Sequence, residues 1–309
     1  MDKPRILVLY YTQTGQLKDI IDSVLSEIRD RLEIDYAEIT PQKPFPFPWT
    51  PYTFFDAMPE AVLHIPPPVN PIRKDVFDKD YDLVIFGYQP WYLNPSQPIT
   101  AFLQSEDARI LKNKNVLTIV GSRNMWLNAQ EKVKHYFQKQ QAKLVGNIVL
   151  FDTNTNLIST LTVIRWAFSG RKEATKWLPA AGVQDKDIIE ASRFGVTILN
   201  HIQQNKLHDL HAALLRQRSV LLDPGLVLLE QRGIKNFRYW AKFIREKGPA
   251  GDPNRKGRIN LFKRLLLVGI FILSPISSLS AFIKKQLHKR KLLKDVDYFK
   301  GVDYEEGKI

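Results

Sequence analysis

A chain of 309 residues with 44% hydrophobic content can bury one substantial α/β domain and still have material left for an appendage. It has no cysteine, which excludes thiol catalysis, disulfides and thiolate metal sites and fits a reducing, cytoplasmic setting; no metal site is expected. The net charge of +13 is concentrated at one end: residues 1–210 carry 24 basic against 23 acidic side chains, and residues 211–309 carry 21 against 9.

The N-terminus has no extended apolar run ahead of its first strand and no small-residue cleavage site, so no signal peptide is read there. Arg5 to Tyr11 has the character of a buried strand. It breaks into Thr12-Gln13-Thr14-Gly15-Gln16, and a helical pattern follows from Leu17 to about Arg31. A strand that passes through a short hydroxyl- and glycine-containing loop into a helix leaves unpaired backbone N–H groups at the positive end of the helix dipole, where phosphate binds. Thr12 and Thr14 add hydroxyls, and Gly15 lets the backbone bend without a Cβ in the way. The loop lacks both GxxxxGK[ST] and GxGxxG, so a single phosphate is a better guest than a triphosphate or pyrophosphate.

A second strand is expected at Glu33–Glu38. Pro41 to Pro71 is too irregular for either element, and His64 within it reads as a surface histidine. Strands are predicted at Tyr81–Gly87, Asn115–Gly121 and Leu144–Phe151, with helices near Pro98–Gln104 and Leu127–Gln141 and a closing helix at Lys186–Gln204. Leu157 to Trp177 is either an apolar lid or a packed helix. Five near-continuous apolar strands alternating with helices imply a doubly wound five-stranded parallel sheet covered on both faces. Ligands of such sheets sit at the carboxyl ends of the strands, where the strand order reverses.

Two further loops fall at that end. Tyr88-Gln89-Pro90-Trp91-Tyr92-Leu93-Asn94-Pro95-Ser96 holds three aromatics that could stack on a large planar ligand or simply pack. Gly121-Ser122-Arg123-Asn124-Met125-Trp126 offers donors for carbonyl-like acceptors and another flat surface.

The basic third is also apolar. Leu265 to Ile283 is a 19-residue run without charge, bracketed by Lys263-Arg264 and Lys284-Lys285. Its length is near the minimum for a bilayer span, roughly 17 to 25 residues. Pro275 and the serines at 274, 277, 278 and 280 leave only its first half strongly apolar, so a span, an interfacial segment and a buried hairpin all stay open. From Gly233 to Lys247, Phe237, Trp240 and Ile244 recur at helical spacing among Lys235, Arg238, Lys242 and Arg245, the pattern of an interfacial basic helix. A nucleic-acid face would not need this apolar run, so no nucleic-acid partner is expected.

The three loops resemble those of the flavodoxin-like FMN-binding proteins, whose phosphate loop reads T/S-x-T-G-x-T. Thr12 to Leu17 matches it up to the last position, where Leu17 replaces a hydroxyl residue. The resemblance covers roughly residues 1–205 and leaves 206–309 as a basic, mainly helical, partly membrane-associated extension. It implies FMN as cofactor, its phosphate on Thr12, Gln13, Thr14, Gly15, Gln16 and Leu17. Pro90, Trp91, Tyr92, Leu93 and Asn94 would hold the isoalloxazine on one side, and Gly121, Ser122, Arg123, Asn124 and Trp126 on the other. Arg123 would balance charge on the flavin, and Tyr88, Tyr92 or His64 would exchange a proton.

More narrowly, YYTQTGQLKDI, PWYLNPSQPITAFL and GSRNMW resemble the dialkylresorcinol biosynthesis proteins, known as condensing enzymes or aromatases. That resemblance implies flavin-dependent oxidation of a 2,5-dialkylcyclohexane-1,3-dione to a dialkylresorcinol, a lipophilic substrate and a partner ketosynthase; the basic, apolar C-terminal third suits attachment to the inner membrane face, and the oligomeric state, a homodimer among the options, stays open. An NAD(P)H-dependent quinone or flavin reductase would share every flavin loop, and so would a non-catalytic flavin-binding component of a biosynthetic complex.

Overall fold

A computed structural model describes residues 3–270 and 289–309. Its centre is a five-stranded parallel sheet of β1 (Arg5–Tyr10), β2 (Glu33–Glu38), β3 (Leu83–Tyr88), β4 (Asn115–Ser122) and β5 (Lys143–Phe151), in the order β2-β1-β3-β4-β5. The register runs Ile6 to Leu83 and Val84 to Val116, with an irregularity between Val116 and Leu117 where β4 meets β5. Strand side chains alternate between faces, so each strand feeds two cores. Ile6, Val8, Leu83, Ile85 and Ile119 pack with α1 (Gln16–Leu25) and α8 (Arg193–Gln203) on one face. Leu7, Leu9, Val84, Phe86 and Val120 pack with α4 (Gln97–Gln104) and α5 (Leu127–Lys139) on the other.

The strand expectations hold to within two residues at each end. The proline-rich segment does not stay irregular: it folds into α2 (Pro51–Asp56) and α3 (Met58–Leu63), with prolines at the first helical turns, where their missing N–H costs nothing. The closing helix is two pieces, α7 (Asp185–Glu190) and α8. The 157–177 stretch forms α6 (Asn156–Ser169), which ends on Gly170 in the left-handed conformation.

Packing continues past residue 205. α9 (Leu210–Arg216) buries Leu210 and Leu214 in the α1-side core. α10 (Pro224–Arg245) and α11 (Lys256–Val268) form a third cluster with α2 and α3, built on Phe55, Met58, Ala241, Ile244 and Phe262. The last helix, α12 (Lys289–Lys300), buries Val296 and Phe299 in the α5-side core, and Tyr298 Oη donates to Glu131 at 2.7 Å. Among the described residues no helix is long and apolar enough to cross a membrane. Most of the Leu265–Ile283 run, residues 271–283, lies outside them.

Candidate functional site

The order β2-β1-β3 reverses direction at β1, so the loops after β1 and β3 splay apart at their carboxyl ends and leave a crevice. A cavity of about 240 Å³ occupies it. Its walls bring all three expected loops together: Gln13, Thr14, Gln16 and Leu17 from the first, Pro90, Trp91 and Tyr92 from the second, Gly121, Ser122 and Arg123 from the third.

The first loop is built as a helix entrance. Gly15 takes φ 86°, and its N–H donates to Thr12 Oγ1 at 3.1 Å, so Thr12 shapes the turn from outside the cavity. The N–H groups of the first α1 turn have no partner within the helix. The Thr14 hydroxyl makes no hydrogen bond among the described residues and lines the cavity. The Gln16 side chain is committed elsewhere: its amide donates to Val183 O and accepts from Val183 N, both at 3.0 Å. Gln13 reaches Pro46 O at 3.2 Å, tying the loop to the proline-rich segment. Leu17 is buried, so the position that departs from the family pattern offers only its backbone N–H.

The second loop is a two-residue hairpin in which Trp91 pairs with Asn94. Tyr92 and Leu93 both have positive φ, 50° and 66°, the pattern of a type I′ turn. Neither is glycine, and each such residue costs about 1 to 2 kcal/mol. Trp91 meets Tyr11, Phe45 and Trp49 edge-on at centroid distances of 5.9, 4.9 and 5.6 Å.

In the third loop, Arg123 Nη1 donates to Asn156 Oδ1 and Thr160 Oγ1, each at 2.8 Å, which pins α6 across the cavity. Burial lowers its pKa to about 10 against the opposing charge of Asp152, so it stays a cation at neutral pH. Its other N–H groups are uncommitted among the described residues. The Ser122 hydroxyl is buried without a partner among them. An orphaned hydroxyl, a half-used guanidinium and open helix N–H groups fit a flat ligand that carries an anionic tail and carbonyl edges.

Several expected site residues stand elsewhere. Tyr88 is fully buried in the α5-side core, donates to Gln130 and has its pKa pushed well up by burial, so it cannot exchange protons with a ligand. Tyr92 lends its ring to the cavity, but its hydroxyl donates to Phe54 O and burial likewise raises its pKa. Trp126 is core, and Asn124 Nδ2 is bound to Asn156 Oδ1 at 3.0 Å. Leu93 and Asn94 belong to the hairpin but do not line the cavity. His64 is not a surface residue: its Nδ1 faces Tyr136 Oη at 3.1 Å, its Nε2 faces Asn94 Oδ1 at 3.2 Å, and burial lowers its pKa to about 4.

The enclosure is completed from two further segments: the 157–177 stretch serves as the apolar lid that was one of its two expected roles, whereas the part played by the proline-rich segment was not foreseen. Phe47, Trp49 and Phe54 come from the proline-rich segment, and Val163, Trp166 and Ala167 from α6. Trp49 N donates to Ala167 O at 2.7 Å, joining the two into one roof. Gly182 completes it: a Cβ there would stand 2.6 Å from Gln16 Oε1 and 2.8 Å from the Trp166 ring. The signal was present as Phe45-Pro46-Phe47-Pro48-Trp49, an aromatic at every second position.

Strand order and pocket define a flavodoxin-like doubly wound protein. No family model matches the chain, and no curated protein does. Among solved structures it is similar to a proposed flavoprotein from Bacteroides eggerthii, with 18% identity over 52% of this chain and 96% of that one and a TM-score of 0.37. It is also similar to a flavodoxin from the Archaea, at 11% identity over 64% and 99% with a TM-score of 0.35. A third is RosB with bound 8-demethyl-8-formylriboflavin-5′-phosphate, at 12% identity over 71% and 90% with a TM-score of 0.36. Likenesses this distant carry no argument about the site, and the fold assignment rests on the strand order itself.

Proposed function

We propose that the cavity binds FMN and that the protein is an FMN-dependent oxidoreductase acting on an apolar substrate. The supporting observation is the convergence of Thr14 and the α1 N-terminus, the Trp91–Tyr92 wall and the Ser122–Arg123 wall in one cavity. The phosphate would sit on the first-turn N–H groups, and the ring between the two walls. Bound FMN supplies an acceptor for a hydride and a proton. Arg123 is the cation at hand to balance negative charge on the ring.

The rest of the lining narrows the chemistry. Among the described residues it contains no carboxylate, histidine or lysine, and the one phenol, Tyr92, is engaged. A pocket without a general base suits a substrate that supplies its own acidic proton. A cyclic 1,3-dione does so, and a 2,5-dialkylcyclohexane-1,3-dione becomes a dialkylresorcinol by losing two hydrogens and tautomerising. That aromatisation is our finer reading, supported by the resemblance and by the apolar roof.

The extension gives such a substrate a place to be collected. α11 exposes Leu261, Leu265, Leu267 and Val268 beside Lys263 and Arg264, and the apolar sequence continues beyond it. An apolar, basic helix of this kind lies on an anionic membrane surface.

The test is to purify the protein in detergent, record its visible spectrum and add the dione without oxygen. Released FMN, bleaching by the dione and a resorcinol product support the reading. A colourless protein that FMN cannot reconstitute overturns it. Bleaching by NAD(P)H with no turnover of the dione would make it a reductase, and full occupancy with no turnover a binding component.

A further inference from the structure

α5 begins without a cap of its own. Its N-cap residue is Trp126, which has no acceptor side chain, and no side-chain hydrogen bond is made there from within the segment. The missing acceptor arrives from α10: Glu230 is fully buried, and its Oε1 accepts from Asn128 N at 2.8 Å. The other carboxyl oxygen, Oε2, is buried beside the same helix start and has no hydrogen-bond partner among the described residues. Helix N-termini favour such an acceptor through both orphan N–H groups and the dipole.

The capped residues are attached to the cavity. Trp126 ends the loop that carries Ser122 and Arg123. The Asn128 side chain holds the aromatic hairpin from behind, donating through Nδ2 to Leu93 O at 2.8 Å and to Asn94 Oδ1 at 3.0 Å. Asn94 in turn donates to Tyr92 O at 2.9 Å. These bonds brace the two residues whose positive φ the turn requires. α10 also touches the hairpin directly, since a Cβ on Gly233 would stand 3.0 Å from Leu93 Cδ1.

We infer that Glu230 is a positioning residue of the cofactor pocket: from the C-terminal extension, it fixes Asn128 and thereby the Trp91–Tyr92 wall and the end of the Arg123 loop. The extension is then part of the cofactor site rather than an appendage to it. This rests on the FMN reading for its ligand, while the bracing of the hairpin stands on geometry alone.

Full-length Glu230→Ala, Glu230→Gln and Asn128→Ala variants test it, with FMN affinity measured by fluorescence quenching and the Trp91 contribution to near-ultraviolet circular dichroism measured without FMN. That contribution is taken as the difference between wild type and Trp91→Phe. Glu230→Ala is expected to weaken FMN binding at least tenfold and to lose the Trp91 contribution. Glu230→Gln, whose amide oxygen can accept the same N–H, should stay within threefold of wild type. Asn128→Ala keeps the backbone cap and cuts the link to the hairpin, so it should reproduce the Glu230→Ala loss, and the double variant should lose no more than either. A folded Glu230→Ala that keeps the affinity and the Trp91 signal overturns the inference, as does full additivity in the double variant. Should wild type bind no FMN, the FMN reading fails, and the Trp91 signal of the apoprotein variants still decides the role of Glu230.

Discussion

Arg255 grips Glu60 through two parallel contacts, Nη1 to Oε1 at 3.0 Å and Nη2 to Oε2 at 3.1 Å, in a site where the arginine has no exposure to solvent. Arg255 Nη2 also donates to Asp56 O at 3.1 Å, and Gly251 N donates to Asp56 Oδ2 at 2.7 Å. The start of α11 is thereby locked onto α2 and α3, beside the Tyr92 and Phe54 wall of the cavity. Removing one member of such a pair strands the other's charge. Arg255→Ala should destabilise the fold by about 3 to 5 kcal/mol, read as a lower denaturant midpoint. Replacing Arg255 and Glu60 together by apolar residues of similar volume should cost far less, and equal losses would argue against a stranded charge.

Thr14→Glu places a carboxylate at the α1 entrance, where a phosphate would sit. FMN affinity should fall on the order of 100-fold, since two like charges about 4 Å apart repel by a few kcal/mol near a protein surface. The fold should be unaffected, because Thr14 makes no hydrogen bond among the described residues. Unchanged affinity would mean that the phosphate binds elsewhere.

Glu230 makes stability depend on pH in the direction opposite to a salt-bridged carboxylate. Burial raises its pKa from 4.5 to about 7, so the folded chain holds a proton that the unfolded chain releases above pH 4.5. Its contribution is present below pH 4.5 and is lost as the pH rises to about 7, a loss of about 3 kcal/mol. Glu230→Gln should abolish this fall, measured as unfolding free energy at intervals across the window.

His64 acts with the other sign. Burial lowers its pKa from 6.5 to about 4, so its neutral form belongs to the fold and the unfolded chain takes up the proton first. Stability from this group is present above pH 6.5 and is lost as the pH falls to about 4, again by about 3 kcal/mol. Between pH 4.5 and 6.5 the two groups oppose each other. Wild type should therefore vary less there than Glu230→Gln, whose stability should drop with acidification; burial also lowers the pKa values of His135 and His211, so adding His64→Gln to that variant reads the share that belongs to His64. A Glu230→Gln profile as flat as wild type would remove the assignment to His64.

Leu265→Glu with Val268→Glu should reduce flotation with anionic phospholipid vesicles several-fold without changing FMN occupancy. Both side chains are exposed on α11, at 48% and 42%, so the folded core loses nothing by their replacement. Flotation equal to wild type would exclude this face of α11 as the membrane contact.

The strands were legible because burial on both faces writes itself as a near-continuous apolar run, as in β3, every residue of which is buried. The helix entrance after β1 was legible because strand, glycine turn and helix lie within a dozen residues. Tyr88 and Trp126 misled because they stand next to the site in sequence. Strand register turns Tyr88 into the core, and the α5 entrance buries Trp126. The α6 half of the roof was legible as an apolar lid, but the proline-rich half was hidden because prolines erase the periodicity by which helices are recognised, although they are tolerated at the first turns of α2 and α3.

Local pattern by itself determined the five strands, their parallel winding, the end of the sheet that opens into a pocket, and the loop that offers it backbone N–H groups. These follow from which residues must leave water and from φ choices made within a few residues. Tertiary structure alone decided what encloses the pocket and what steadies it: α6 joined to Trp49, Arg255 joined to Glu60 across 195 residues, and Glu230 capping a helix that begins 103 residues earlier. An apolar face states that it will be covered, and a helix start states that it needs an acceptor. Neither states which distant segment will supply it, because the free energy of that choice lies in contacts between parts of the chain that share no local pattern.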